Sequence, residues 1–301
     1  MAPTSSPNQA SRYAAIGLAV AVAVLALKAL AAWLTGSLAL FSDALESVVN
    51  VSTAIAALVS VRLAARPADA ALPYGYHKAE YFSAVFTGVL IGIAAILIFR
   101  EAWIGFTEPR ELTFDPLGLG VSIVATALNA GWAMLLMRAG RRERSPALVA
   151  DARHIFTDVV STIAVLAGVM LVFATGYTQF DAVLAALVGF AILWSGWQVL
   201  RESVVGLMDV AVEPSLLGRI REVIASSADG AIEAHDVRTR QAGRRTFIDF
   251  HLVVPAAMTV DAAHEICDRI EGQLRAVVDD AMITIHVEPE NKAKHSGIIV
   301  V

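Results

Sequence analysis

The amino-acid sequence predicts a membrane all-α six-helix transmembrane bundle followed by a small cytoplasmic α+β domain. Six segments are long and apolar enough to cross a bilayer, which takes about 20 residues of helix. The chain is 57% hydrophobic with a mean hydropathy of +0.64, whereas soluble domains sit near about 45–50% apolar. Charged residues, 17% overall, are sparse before Met208 and ordinary after it, so a membrane part precedes a soluble part.

Met1 to Arg12 is polar, lacks a secretory cleavage pattern and reads as a disordered cytoplasmic tail (residues 1–12). The transmembrane domain covers residues 13–208. Its spans run from Tyr13 to Leu34, Ser37 to Leu63, Glu80 to Phe106, Leu117 to Met137, Ala147 to Ala174, and Phe180 to Leu207. Thr35-Gly36 joins the first two, and Thr175-Gly176-Tyr177-Thr178 joins the last two. Arg12, then Arg62, Arg66 and Lys78, then Arg138, Arg141, Arg142 and Arg144 all fall on one side. On the other side Arg110 is offset by Glu108 and Glu111. Cations mark the cytoplasmic loops, so both termini are expected in the cytoplasm.

Residues 209–290 form the soluble domain. Pro214 to Ala228 carries apolar residues at Leu216, Leu217, Ile220 and Ile224, a helical spacing. His235 to Arg240 and Thr246 to Val254 read as strands, joined by a hairpin turn at Gly243. Val260 to Val278 reads as a helix and Ala281 to Val287 as a strand. The order αββαβ is that of a ferredoxin-like or metallochaperone-like domain. Residues 291–301 are expected to be a flexible tail.

Composition excludes some functions. The net charge of −5 is mild and no basic stripe points to nucleic acid. The single cysteine, Cys267, rules out an intramolecular disulfide and reads as a small buried residue. Nothing in the sequence suggests enzyme chemistry.

Ionisable residues inside a span are costly and point to function. Span 2 carries Asp43, Glu46 and Asn50; span 5 carries Asp151, His154 and Asp158. Both sets are spaced i, i+3, i+7, which puts each on one helical face. Glu46, Asn50, His154 and Asp158 make a four-ligand set of three oxygens and one imidazole nitrogen. That set fits a borderline divalent ion such as zinc, iron(II), cobalt or manganese. The bland alternative is a hydrogen-bonded packing contact between helices. Asp43, one turn before Glu46, is a candidate compensating ligand. Arg100 and Glu101 read as a snorkelling or paired couple, and Asn129 as interhelical glue. In the soluble domain His235, His251, His264 and His286 fall in separate elements, and Glu288 shares a strand face with His286. They are a second candidate metal site; His295 lies in the tail.

Several segments resemble those of the cation diffusion facilitators, closest to the bacterial ferrous-iron and zinc efflux members. They are Thr35-Gly36-Ser37-Leu38-Ala39-Leu40, Arg66-Pro67-Ala68-Asp69, Tyr74-Gly75-Tyr76-His77-Lys78-Ala79-Glu80, His154 with Asp158, and Ala234-His235-Asp236-Val237-Arg238-Thr239-Arg240-Gln241. The resemblance runs from about Ala15 to Pro289. It implies a homodimer in a bacterial inner membrane that exports a divalent metal (Zn2+, with Fe2+, Cd2+, Mn2+ and cobalt as alternatives) in exchange for protons. It implies a transport site at Glu46, Asn50, His154 and Asp158. It also implies a cytoplasmic metal site at His235, His251, His264, His286 and Glu288, and a subunit interlock by Lys78 and Asp209. Two departures stand out. Span 2 has Glu46-x-x-x-Asn50 where the family commonly has two carboxylates, or a histidine and an aspartate. In the loop after span 2 only Asp69 matches a metal site of the relatives, whose two histidine positions are Leu72 and Tyr76 here. His77 is shifted by one, so that site is expected to be absent or weak. A membrane-anchored metal sensor and a carrier of organic cations are the alternative functions.

Overall fold

The computed structural model describes residues 7–35, 38–107, 116–177, 179–295 and 297–299. The first six residues, the Gly36–Ser37 turn and the loop with Glu108, Arg110 and Glu111 lie outside the described residues. The chain divides into two compact units, Ser5–Val204 and one that holds Val205–Val301.

The first unit is six long helices: α1 (Pro7–Thr35), α2 (Leu38–Ala64), α3 (Ala79–Thr107), α4 (Pro116–Arg142), α5 (Pro146–Thr175) and α6 (Gln179–Leu207). Among the described residues, five of them hold a window apolar enough to cross a membrane. The helix outside that set, α5, carries Asp151, Arg153 and Asp158. Helix α1 begins at Pro7, so the tail expected to be disordered through Arg12 is helical in its second half. Proline suits a helix's first turn, where its missing N–H has no partner to lose.

Helices α1, α2, α4 and α5 pack on one another. Their seam is rich in alanine (Ala10, Ala14, Ala57, Ala133, Ala147 and Ala152), with Leu58, Leu136 and Leu148 as larger fillers. Small residues let helix backbones approach closely where lipid gives no hydrophobic drive between helices. Helices α3 and α6 make a second seam through Ile91, Ala95, Ile192 and Val199. It is close: a Cβ on Gly88 would fall 2.9 Å from the Leu200 side chain, and one on Gly196 3.0 Å from Ile91. A two-pronged Arg153–Glu202 pair at 2.9 and 3.2 Å ties α5 to α6. At the helix ends the Ser145 hydroxyl donates to buried Glu80, which fastens α3 to the turn between α4 and α5.

The second unit runs α7 (Pro214–Ser227), β1 (Glu233–Ala242), β2 (Arg245–Val254), α8 (Val260–Val277), β3 (Ala281–Pro289), a 3-10 turn (Glu290–Lys292) and β4 (Ile298–Ile299). The sheet order is β3-β2-β1-β4, with β2 and β3 parallel and the other pairs antiparallel. Ile248, Phe250, Leu252 and Val254 alternate along β2 and pack under Ile220 and Ile224 of α7 and Ile266, Ile270 and Leu274 of α8. The odd-numbered residues of β2 therefore face away from the helices. Gly243, with φ 56°, opens the two-residue hairpin between β1 and β2. Thr259 caps α8 by accepting from the Ala262 amide, a contact of about 1 kcal/mol. Cys267 is buried in this core, and burial raises its thiol pKa, which keeps it unreactive.

The last residues correct the expectation of a flexible tail. Ile298 and Ile299 pair with Ala234 and Glu233 of β1. The Glu233 carboxylate accepts from the His295 amide at 2.9 Å and the Gly297 amide at 3.2 Å, and Lys294 bonds Asp236 at 2.6 Å. Two side chains upstream thus fasten a segment whose own pattern is too short to read as a strand.

Candidate metal centres

In the helical unit, α2 and α5 meet at Asn50 and Asp158. The Asn50 amide nitrogen donates to Asp158 at 2.6 Å, 108 residues away in sequence. His154 lies one turn before Asp158 and is buried, as are Asn50 and Asp151. Spending its N–H on Asp158 turns the amide outward, and Asn50 Oδ1 is buried with no hydrogen-bond partner. An amide and a carboxylate meet here, one turn from a buried imidazole, and such donor types suit a borderline divalent cation. The side chains of Asp43 and Glu46 lie outside the described residues.

The turns that carry these candidate residues share a further feature. Thr53 donates to the Asn50 carbonyl at 3.0 Å, Thr157 to that of His154 at 2.6 Å, and Ser161 and Thr162 to that of Asp158 at 2.9 Å. Such back-bonding competes with the helix ladder and tends to bend it.

Two small clefts, one mostly polar and one mostly apolar, flank the pair. One is lined by Lys28, Asn50, Thr126, Asn129, Asp158 and Thr162, and the other by Ser47, Asn50, Asn129 and Trp132 among others. Asn129, read from sequence as glue between helices, faces both. Lys28 escaped the sequence reading, although it is the one ionisable residue between Tyr13 and Leu34. The rule that singled out span 2 and span 5 applies to it equally.

In the soluble unit the strand register lines up His235, His251 and His286 across β1, β2 and β3. Neighbouring rings stand 5.3 and 4.9 Å apart. Glu288 sits among them, 3.3 Å from His235 Nε2, 3.3 Å from His251 Nδ1 and 3.8 Å from His286 Nε2. Both His235 nitrogens and His251 Nδ1 are buried without a hydrogen bond. Ligands at about 2.0–2.1 Å from a tetrahedral zinc stand about 3.3 Å from each other, so these separations suit a shared ion better than mutual hydrogen bonds. A bulge between His235 and Arg238 puts Asp236 at φ 53°. Bulges re-aim side chains, and here His235, Asp236 and His251 offer ligand atoms within 4.8 Å of one another. Lys294 holds the Asp236 carboxyl below its usual pKa. Strand alternation alone assigns Asp236 to the wrong face, so the sequence reading missed it.

Other expected residues stand elsewhere. His264 is exposed on α8, 3.7 Å from Asp268. Helix α8 covers the face of β2 opposite His251, so one chain does not bring His264 to the other three histidines. Asp209 pairs with Arg240 at 3.2 Å within its own unit. Asp69 accepts from the Ala71 and Leu72 amides at 2.9 and 2.8 Å and from the Tyr76 hydroxyl. Its oxygens staple the loop. A Cβ on Gly75 would lie 3.0 Å from His77, which packs against that turn. Arg100 and Glu101 pair at the surface at 3.2 Å.

Long apolar helices with buried polar residues between them, followed by a small sheet domain, are the architecture of a multi-pass membrane protein. Residues 14–208 match the family model described as the cation efflux transmembrane domain, and residues 212–290 that of the cation efflux protein cytoplasmic domain. The chain belongs to the cation efflux family. It is 41% identical over 277 residues to an uncharacterized transporter of Synechocystis, covering 92% of this chain and 89% of that protein. It is 30% identical to the cation-efflux pump FieF of Yersinia pestis, over 90% of each chain, and 29% identical to FieF of Salmonella paratyphi A, over 95% of each. A solved structure described as the zinc form of a putative zinc transporter, CzrB, is 41% identical over 29% of this chain and 98% of its own, with a TM-score of 0.28.

Proposed function

We propose that this protein is a proton-coupled antiporter that exports divalent transition-metal cations from the cytoplasm, zinc first, with iron(II), cadmium, manganese and cobalt as further cargo. The observation that carries this reading is the Asn50–Asp158 bond between α2 and α5, one turn from buried His154. The names of the FieF relatives, cation-efflux pumps, support the outward direction.

Glu46, Asn50, His154 and Asp158 hold the ion in this scheme. A metal binds only deprotonated carboxylates and imidazole, so loading expels protons and protons arriving from outside displace the metal. His154 is the coupling group in this scheme, because its imidazole binds either a proton or the metal. The ligands sit on two helices with no backbone ladder between them, so a small relative shift of α2 and α5 opens or closes the set. That is what alternating access needs.

The protein works as a homodimer in the bacterial inner membrane, with its termini in the cytoplasm. Lys78 and Asp209 interlock the subunits. The soluble domains bind divalent metal at His235, His251, His286 and Glu288, with Asp236 beside them, and His264 joins from a second subunit. Metal there biases the dimer toward its transporting state, a population shift.

The test is zinc uptake into proteoliposomes under an imposed pH gradient. Uptake that collapses when a protonophore dissipates the gradient is the expected result. Metal binding without uptake of any divalent ion would leave a sensor, and uptake indifferent to the gradient would remove the proton coupling.

A further inference from the structure

Helix α1 carries a lysine at a depth where none is needed for packing. Lys28 lies seven residues before the end of α1 at Thr35, about 10 Å along the axis. A lysine there usually snorkels and leaves its ammonium at the interface. Lys28 is instead only 8% exposed. It lines the polar cleft that also holds Asn50, Asn129 and Asp158. A fixed cation beside a cation-binding site opposes the cargo directly, so its place there calls for a reason.

The reason lies in the unloaded protein. Once its metal has left, a site built on carboxylates leaves negative charge in a medium of low dielectric. Unpaired buried charge is strongly unfavourable. An antiporter must nevertheless return through the membrane without its metal. A lysine on a flexible stem supplies a counter-charge from inside the protein, and it can swing aside when a divalent ion arrives. We propose that Lys28 is a tethered counter-cation for the transport site, a positioning residue that weakens metal binding and thereby speeds release. Asn129 completes its seat from α4, the helix that packs against both α1 and α5. This inference rests on the transport site proposed above.

The experiment measures initial rates of zinc uptake by the full chain in proteoliposomes, for wild type, Lys28→Met, Lys28→Arg and Asp158→Ala. Lys28→Met is expected to lower KM about tenfold, a modest figure for one unit charge acting in a partly buried site, and to lower kcat because zinc leaves slowly. Lys28→Arg keeps the charge and is expected to stay within about twofold of wild type in KM, since it preserves the Coulomb interaction. An unchanged or raised KM in Lys28→Met overturns the proposal. If Lys28→Met does not insert, Lys28→Gln takes its place. If turnover is too slow for a KM, equilibrium zinc binding lost on adding Asp158→Ala to Lys28→Met reads the same affinity, with the same expected sign. Retained transport in Asp158→Ala would instead overturn the site itself, so the two failures are distinct.

Discussion

On α5, His154 and Asp158 ride a single helix, and Asp158 meets Asn50 of α2 through a side-chain hydrogen bond. On the sheet, His235, His251 and His286 come one from each of three strands locked together by ladder hydrogen bonds. The helical set mixes an amide, a carboxylate and an imidazole, and hydroxyls bend back onto the carbonyls of its ligand residues. The sheet set is rich in imidazole and is held at spacings that a tetrahedral ion fits. The contrast is between candidate ligands carried on separate helices and candidate ligands fixed in one sheet. A site strung between helices is made to change, and one pinned to a sheet is made to hold.

The largest effect expected to break this comparison is loss of transport in Asp158→Ala. The variant removes a carboxylate ligand and orphans the Asn50 amide. Zinc uptake should fall by more than the roughly 10–100-fold that follows loss of an outer-shell partner, with an unchanged size-exclusion profile. Retained uptake would move the cargo site off α5.

Next, His251→Ala with His286→Ala should abolish calorimetric zinc binding by the sheet site while uptake through the helices persists at a reduced rate. His251 and His286 flank Glu288 at 3.3 and 3.8 Å, so their loss removes two of the three imidazoles the sheet brings together. Undiminished binding would assign the metal to other ligands.

A smaller change sharpens the helical side. Asn50→Asp sets a second carboxylate against Asp158 and adds a negative charge to the ligand set. Zinc gains more than iron(II) or manganese from added charge on an imidazole-bearing site. Zinc affinity should rise about tenfold, the scale of one close charge, and the range of metals transported should narrow. An unchanged panel of zinc, iron(II), manganese and cadmium would show that Asn50 does not touch the ion.

The smallest effect concerns the loop after α2. The Tyr76 hydroxyl, with the Leu72 and Ala71 amides, holds the Asp69 carboxyl below its usual pKa. A lowered folded value means the staple is fully present above the ordinary carboxylate range and is lost as pH falls through the lowered one. Tyr76→Phe should bring the Asp69 midpoint back toward about 3.9 in an NMR titration of aspartate carboxyl carbons, and quicken exchange of the Leu72 amide. An unmoved midpoint would mean the backbone amides suffice.

Much of this was legible in the sequence because helices and strands repeat. Spacing of i, i+3, i+7 exposed the polar face of α5, and alternation along β2 separated the helix-covered face from that of His251. What repetition does not encode was harder to see. Asp236 enters the sheet cluster through a bulge, a one-residue break in alternation. His264 satisfies the histidine count but sits on a helix over the opposite face. The terminal strand depends on Glu233 and Asp236 far upstream, and nothing in Ile298-Ile299 alone announces a partner. Lys28 was overlooked for a different reason: a lone charge in an apolar helix has no pattern around it, only a depth.

The carboxyl-terminal strap has a practical side. Gly297 passes so near β1 that a Cβ there would lie 2.5 Å from the Ala234 carbonyl and 2.9 Å from the Cβ of His235. Gly297 therefore lies beside the imidazole row. An affinity tag or fluorescent fusion appended at this end begins within a few residues of that row, and a histidine-rich tag would set its own imidazoles beside it. A small dye at the carboxyl end turns the same proximity into a gauge, because any loosening of Lys294 from Asp236 would be read at the point of attachment.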